Sequence, residues 1–315
     1  MRLIAHIPGR AMVADQFKSC EPEYASVLLR GFQGQIEGFT STGPLDKAAF
    51  WQDFAMEDSG DSSSVTREQY LEQIEGVINL TVQRKLNKVV LSRQQFEPVD
   101  ADAQKTFAAL LEKYSGCTVF AMIHPVHGSW MGASPEVLLE ETIIGFRSMS
   151  LAGTRLRGAL NWGPKEVEEQ QYVTKEVHRA LKELGGKVSR QPQETLAAGP
   201  VEHLLTWVES DNSALNAVDA LERLHPTPAV CGTPTSEALD VILSTEAYDR
   251  SLYTGYLAFR EPSLWAAVML RTMRWSNKGI TYFAGGGITK DSVPLSEWME
   301  TEYKIAALKD AVILR

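Results

Sequence analysis

Strand-like segments that follow one another with only a few residues between them constrain this chain more than any other feature. Segments near 117–124, 129–132, 136–142 and 145–151 form one run, and segments near 253–260, 264–275 and 279–285 form a second, meander-like run. Connections this short join antiparallel neighbours, because a parallel crossover needs about a dozen residues or more. Most strands are clustered, with helical periodicity between the clusters. The spacing therefore predicts an α+β fold on antiparallel sheet and excludes a regular βαβ repeat. No fixed-period repeat is visible.

The helices announce themselves by their ends. Thr66 followed by Gln69 has the form of a capping box, and Tyr70, Ile74, Val77, Ile78 and Leu86 keep one apolar face, so a helix is expected over about 66–86. Phe107, Leu110, Leu111 and Tyr114 mark another near 102–114. A third, about 164–184, opens with Pro164 and closes with Gly185 and Gly186, which is the usual asymmetry of helix ends. Helices near 213–224 and 236–246 flank the Pro-rich loop that starts at His225, and a last one runs from about Pro294 almost to the end. In the first sixty-odd residues short apolar pieces are broken by Gly and Pro, and the polar stretch from Asp58 to Ser64 reads as a mobile loop or linker.

Composition sets the class. With 315 residues the chain allows two ordinary domains or one large duplicated one, and 44% apolar with 23% charged residues is the make-up of a folded soluble protein. Its 31 basic against 40 acidic residues give a formal charge of -9, a field that repels nucleic acid and anionic lipid, so neither is expected as a partner. An anionic substrate would need a few local cations, backbone N–H groups or a metal. Cys20, Cys117 and Cys231 lack any zinc or redox spacing and read as reduced thiols. No apolar run approaches the ~18 residues of a membrane span, and the start is too broken for a signal peptide, so the cytoplasm is the expected compartment.

Several charged residues sit where two readings compete. Lys88 heads Val89-Val90-Leu91-Ser92-Arg93, where alternation puts Lys88, Val90 and Ser92 on one face; it is either an exposed strand gatekeeper or a desolvated base. Glu136, after Pro135 and before Val137-Leu138-Leu139, is either a solubilising edge charge or a buried acid with a raised pKa. Glu297, Glu300 and Lys304 share one helix face, as a solvated pair would, yet Gly285-Gly286-Gly287 just upstream lets a ligand approach bare backbone near a helix N-terminus. Glu166, Glu168, Glu169 and Glu176 give the helix at 164–184 an acidic face. Any metal here would be a hard cation on carboxylates from separate elements, since no His/Cys cluster exists. Arg271 lies in an otherwise apolar strand, and an inward-facing Arg needs an anion. Spacing alone leaves these pairs of readings open.

Taken together in order, the blocks resemble the chorismate-utilising enzyme family over about 66–310. They are Lys88–Arg93, Gly132-Ala133-Ser134-Pro135-Glu136, Leu151-Ala152-Gly153-Thr154-Arg155, the acidic helix around Glu169, His203, His225-Pro226-Thr227-Pro228-Ala229, Tyr248-Asp249-Arg250, Leu270-Arg271, Ala284–Ile288 and Glu297–Lys304. The resemblance implies a single α+β domain over residues 1–315, with two facing antiparallel sheets, helices outside and a Mg2+-dependent site between the sheets. The part before about residue 65 is shorter than in most relatives, so a trimmed first sheet and a more open pocket are expected.

Carried over position by position, the resemblance makes Lys88 the general base for water and Glu136 the general acid for the leaving hydroxyl. Glu169 and Glu300 become Mg2+ ligands, with Glu297 as a third candidate. Arg271, Tyr253 and the backbone at Gly285, Gly286 and Gly287 become the enolpyruvyl carboxylate site, and Gly153, Thr154, His203, Ala229 and Lys304 further substrate-binding positions. Lys88 with the His225–Ala229 stretch resembles the water-using branch, so the expected activity is that of an isochorismate synthase, a hydroxymutase-type isomerase serving menaquinone or siderophore synthesis. No glutaminase subunit is expected. The runner-up is a salicylate synthase, and outside the enzyme class an inactive chorismate-binding relative. Gln170 stands where many relatives have His, beside the proposed metal helix.

Overall fold

The computed structural model describes residues 1–56, 63–84, 86–198 and 201–315. Four strands open the chain: β1 (Arg2–His6), β2 (Val13–Cys20), β3 (Val27–Arg30) and β4 (Glu37–Pro44). Helices α1 (Lys47–Asp53) and α2 (Arg67–Arg84), strand β5 (Lys88–Glu97) and helix α3 (Ala103–Lys113) follow. Then come β6 (Thr118–His124), β7 (Gly128–Ser134), β8 (Val137–Thr142) and β9 (Gly145–Leu156). Helix α4 (Pro164–Glu183) leads to β10 (Val188–Arg190), β11 (Glu194–Ala198) and β12 (Val201–Ser210). Helix α5 (Ala217–Leu224), β13 (Gly232–Thr233) and α6 (Thr235–Thr245) precede β14 (Tyr256–Phe259), β15 (Trp265–Val268), β16 (Thr272–Ser276), β17 (Gly279–Ile288) and helix α7 (Pro294–Lys309).

The α+β class stands, but the expected pair of separate sheets is corrected: the strands form one large antiparallel ladder. One arm runs β13-β5-β17-β16-β7-β6-β1, and the other runs β3-β14-β15-β8-β9-β12 with β10 and β11 sharing the far edge of β12. Strands β2 and β4, paired with each other, join the arms through β1 on one side and β3 on the other. These joining strands lie in the first 44 residues, where Gly and Pro interrupt the apolar pattern and hide the period-two signal.

Alternation explains the layering. In the first arm Leu3, Ala5, Phe120, Met122, Trp130 and Phe283 point inward and meet Val27, Leu29, Leu257 and Phe259 of the second arm in one apolar layer. Their neighbours Ile4, Val119, Ala121, Met131, Tyr282 and Ala284 point outward to α1, α3 and α7. On the second arm Leu28, Tyr256 and Ala258 point outward to a cluster that includes Val173 and Val177 of α4 and Leu221 of α5. The side chains of that inner layer are nearly fully buried, and its Val, Leu, Met and Phe residues are worth roughly 1.5–3 kcal/mol apiece relative to exposure.

Other expectations are met or adjusted. The capping box forms, with Thr66 N–H donating to Gln69 Oε1 at 2.9 Å and Gln69 N–H to Thr66 Oγ1 at 3.2 Å. Helix α5 starts later than expected because Asn216 caps it, accepting from the N–H groups of Val218 and Asp219. The predicted strand at 264–275 is two strands, β15 and β16, interrupted where Arg271 takes φ +49°. Most of the polar stretch from Asp58 lies outside the described residues; Ser64 at its end accepts from the Phe96 N–H at 2.9 Å. No helix among the described residues is long and apolar enough to cross a membrane.

Candidate active site

A cavity opens between the two arms. Its walls hold Glu136, Gly153, Thr154, Glu169, His203, Ala229, Tyr253, Arg271, Gly285, Gly286, Gly287, Glu300 and Lys304, together with Val90, Leu270 and Phe283. Of the candidate residues only Lys88 and Glu297 fall outside this wall. Lys88 lies directly behind it, its Nζ 2.7 Å from Glu169 Oε1, and Glu297 lines an adjoining cleft that shares Thr154 and Glu300 with the first.

Both open readings of Lys88 and Glu136 resolve toward burial: Lys88 is 1% and Glu136 2% exposed. On β5 the predicted alternation holds, with Val90 in the cavity wall and Val89 and Leu91 packed outward in an apolar cluster that includes Tyr70 and Ile74 of α2. Arg93 continues that outward face, donating from Nε to Thr301 Oγ1 at 2.7 Å and lying 3.9 Å over the Trp298 ring, so it ties β5 to α7. Glu136 sits between β7 and β8 with Oε1 lacking any hydrogen-bond partner. Burial pushes its carboxyl up to about 8 against the opposing pull of Lys88 and Lys304.

The glycine triplet is neither a turn nor part of a helix N-terminus; it lies inside β17, opposite Ser92, Leu91 and Val90 of β5. Its bareness serves the carboxylates above it. A Cβ on Gly287 would stand 2.4 Å from Glu169 Oε1 and 2.5 Å from Lys88 Cε, and one on Gly286 would meet Glu297 Oε2 at 3.4 Å. Glu169 from α4 and Glu297 and Glu300 from α7 thus converge over naked backbone.

Each of those three carboxylates has a lysine. Lys88 holds Glu169, Lys304 holds Glu300 at 2.7 Å while donating to the Gly285 carbonyl at 2.7 Å, and Lys165 of α4 holds Glu297. Burial raises Glu297, outweighing the lowering effect of Lys165; burial acts the same way on Glu300, but there Lys304 and Lys165 prevail and lower it. Among the described residues no three acidic, His or Cys side chains stand as a ready-made metal cluster. Lys165 went unremarked in the sequence. Its signal was a cation in the first turn of a helix, where the helix dipole disfavours it.

Arg271 and His203 form the opposite corner. Arg271 Nη2 donates to the Ala198 carbonyl at 2.9 Å and faces His203 Nε2 at 3.4 Å, while Nη1, buried, has no partner. Burial together with Arg271 and Lys304 lowers His203 to about 3, so its imidazole is neutral. With Nδ1 3.1 Å from the Gly153 carbonyl, the proton belongs on Nδ1 and Nε2 presents a lone pair to Arg271. Gly153 reaches that position as the extra residue of a bulge between β9 and β12, at φ +68°, where a Cβ would collide with the Glu166 carbonyl. Gln170 turns away from the cavity and donates to the Ser150 carbonyl at 2.9 Å, tying α4 to β9.

Below the cavity Arg250 fastens three segments. It donates to the Val230 carbonyl of the Pro-rich loop at 2.9 Å, to the Val90 carbonyl of β5 at 2.7 Å, and pairs with Glu246 at 2.6 Å. Glu246 in turn accepts from the Ser92 N–H at 2.7 Å.

A family model described as chorismate binding enzyme matches residues 46–313. This chain belongs to the chorismate-binding enzyme family. Isochorismate synthase EntC of Escherichia coli (strain K12) is 31% identical over 249 residues, 73% of this chain and 63% of that protein. Isochorismate synthase MenF of Bacillus subtilis (strain 168) is 28% identical over 282 residues, 82% of this chain and 59% of that protein. The chain therefore spans about three fifths of the length of these relatives. The solved structure of MenF, the menaquinone-specific isochorismate synthase from Escherichia coli, superposes with a TM-score of 0.79 at 21% identity, covering 98% of this chain and 88% of that one, and so shares the fold.

Proposed function

We propose that this member of the family is an isochorismate synthase that isomerises chorismate by adding water at ring carbon 2 and expelling the carbon 4 hydroxyl. The observation that carries the reading is Glu136: a carboxyl in the cavity wall that keeps its proton to about pH 8 and has an unpartnered oxygen. A leaving hydroxide needs such a donor. The similarity to isochorismate synthases supports the same reading.

Lys88 takes a proton from water while the oxygen bonds to carbon 2. The two ring double bonds each move one position, the bond from carbon 4 to oxygen breaks, and Glu136 gives its proton to the departing hydroxide. Solvent exchange then returns the proton from Lys88 to Glu136. The free Nη1 of Arg271 supplies a charge-assisted donor for the enolpyruvyl carboxylate, and neutral His203 orients that guanidinium.

Glu169 of α4 and Glu300 of α7 offer only oxygen donors, from separate helices over bare glycine backbone, and carboxylates of this kind fit a hard divalent cation that completes its shell with water and substrate oxygens. Glu169 and Glu300, with Glu297 beside them, would hold Mg2+. Once bound, the ion supplies positive charge to a substrate carboxylate. An acidic protein can then bind a dianion because Arg271 and the metal centre make the cavity locally positive.

The test is incubation with chorismate and Mg2+ followed by chromatography of the products. Isochorismate with residual chorismate, and no anthranilate when ammonia is supplied, is the expected result. Unchanged chorismate would favour the inactive-relative reading.

A further inference from the structure

Lys165 occupies an electrostatic position that the reaction does not require. It lies in the first turn of α4, just after Pro164, where the helix dipole disfavours a cation. Its ammonium nonetheless turns inward to Glu297, whose side chain is 2% exposed, and it also feels the charges of Glu169 and Glu300. Those three charges reach it from both helices that flank the glycine strand. The other two lysines are placed differently: Lys88 belongs to β5, and Lys304 is engaged by the Gly285 carbonyl.

We propose that Lys165 is a built-in counter-cation that holds the three carboxylates together without metal and weakens the site for a divalent ion. This rests on the reading that Glu169 and Glu300 take Mg2+. Buried carboxylates this close repel one another when ionised, and in a low-dielectric pocket that repulsion is strong. A tethered ammonium relieves it at no cost in concentration. An arriving divalent cation must then compete with, or be repelled by, a fixed positive charge. The metal is consequently held less tightly than the bare carboxylates would hold it, and bound product leaves more readily. Lys165 is thus a positioning residue whose role is charge.

The experiment compares the full-length wild type with Lys165→Met, Lys165→Gln and Lys165→Arg, titrating Mg2+ alone by calorimetry and following thermal unfolding with EDTA and with saturating Mg2+. Removing the charge should tighten Mg2+ binding about tenfold or more, and should lower the midpoint in EDTA by more than in Mg2+. Lys165→Arg should behave as wild type in both measurements. Unchanged or weaker Mg2+ binding by both neutral variants overturns the proposal, as does an equal loss of stability with and without metal. If neither neutral variant folds even in Mg2+, Lys165 is a structural residue and the proposal falls. Absence of Mg2+ binding by the wild type would instead remove the metal assignment itself, so the two failures are distinguishable.

Discussion

Arg271 faces His203 at 3.4 Å through one guanidinium nitrogen and leaves the other, buried in the cavity corner, without a partner. The left-handed backbone of Arg271 interrupts the strand between Met269, packed in the inner apolar layer, and Met273, packed outward against the helices. A buried guanidinium with a spare donor is a place for an anion. Arg271→Leu should raise KM for chorismate by ~30-fold or more, corresponding to about 2 kcal/mol or above for a desolvated charge contact. Arg271→Lys should recover only part of this, since a point charge replaces a planar fork. Steady-state kinetics checks both, and an unchanged KM in Arg271→Leu would count against the anion site.

In the proposed reaction Glu136 carries the pH dependence. Its carboxyl must be protonated to donate, so kcat should fall as pH rises through about 8. Glu136→Gln should lose about two to four orders of magnitude in kcat, the usual worth of a general acid, and the alkaline limb should vanish from whatever rate remains. A variant that keeps both rate and limb would remove Glu136 from the mechanism.

The same group couples to folding. Burial raises its pKa from 4.5 to about 8, so between those values the folded chain holds one more proton than the unfolded chain. Its contribution to stability is fully present below about pH 4.5 and is lost as pH rises through about 8. Glu136→Gln lacks that loss. Thermal midpoints measured from pH 5 to 9 should therefore show the variant gaining on the wild type with rising pH, and parallel curves would contradict the burial argument.

Lys88 and Glu169 are a buried pair, with side chains 1% and 11% exposed. Lys88→Met leaves Glu169 uncompensated and should cost about 3–5 kcal/mol in stability, whereas Lys88→Met with Glu169→Gln should recover most of it. Turnover should be absent in both. Denaturant melts beside activity assays separate the two effects; a double variant as unstable as Lys88→Met would show that the pair is not coupled.

How much of this was legible in the sequence depended on whether the signal was local. The α2 capping box, the ends of α4 and the alternation at Lys88 are short-range patterns, and each appears where it was read. The strands β1 to β4 and β10 to β12 were not visible as strands: β3, β10 and β11 are only three to five residues long, and the register shifts in the β2–β4 and β9–β12 pairs break alternation, while long-range pairing with β6, β14 and β9 stabilises them. The spacing of Glu297, Glu300 and Lys304 could not say whether that helix face met water. Only the approach of α4 from the other arm makes it interior, and Lys165, whose partner is 132 residues away, follows from the same approach.

Under the proposed activity the remaining choice is between releasing isochorismate and eliminating pyruvate from it. In the elimination the hydrogen on carbon 2 passes to the methylene of the enolpyruvyl group, the bond from carbon 3 to oxygen breaks, and pyruvate leaves an aromatic salicylate. No side chain has to donate or accept a proton. What is required is that the enolpyruvyl chain fold over the ring, and such reactions are sensitive to displacements of about 1 Å. The wall that would impose the fold is braced from behind: Tyr253 stacks on Phe283 at 5.4 Å and 19°, and Phe283 on Trp130 at 5.3 Å and 20°. Rings held in such a stack do not press inward on the substrate's side chain, and in the proposed site Arg271 would hold the enolpyruvyl carboxylate at the corner, away from the ring. Release should therefore outrun elimination, leaving isochorismate and chorismate near equilibrium with little pyruvate. A lactate dehydrogenase-coupled assay measures this directly. Pyruvate and salicylate formed in step with chorismate consumption would make the chain a salicylate synthase, and would mean that Arg271 holds the carboxylate over the ring after all.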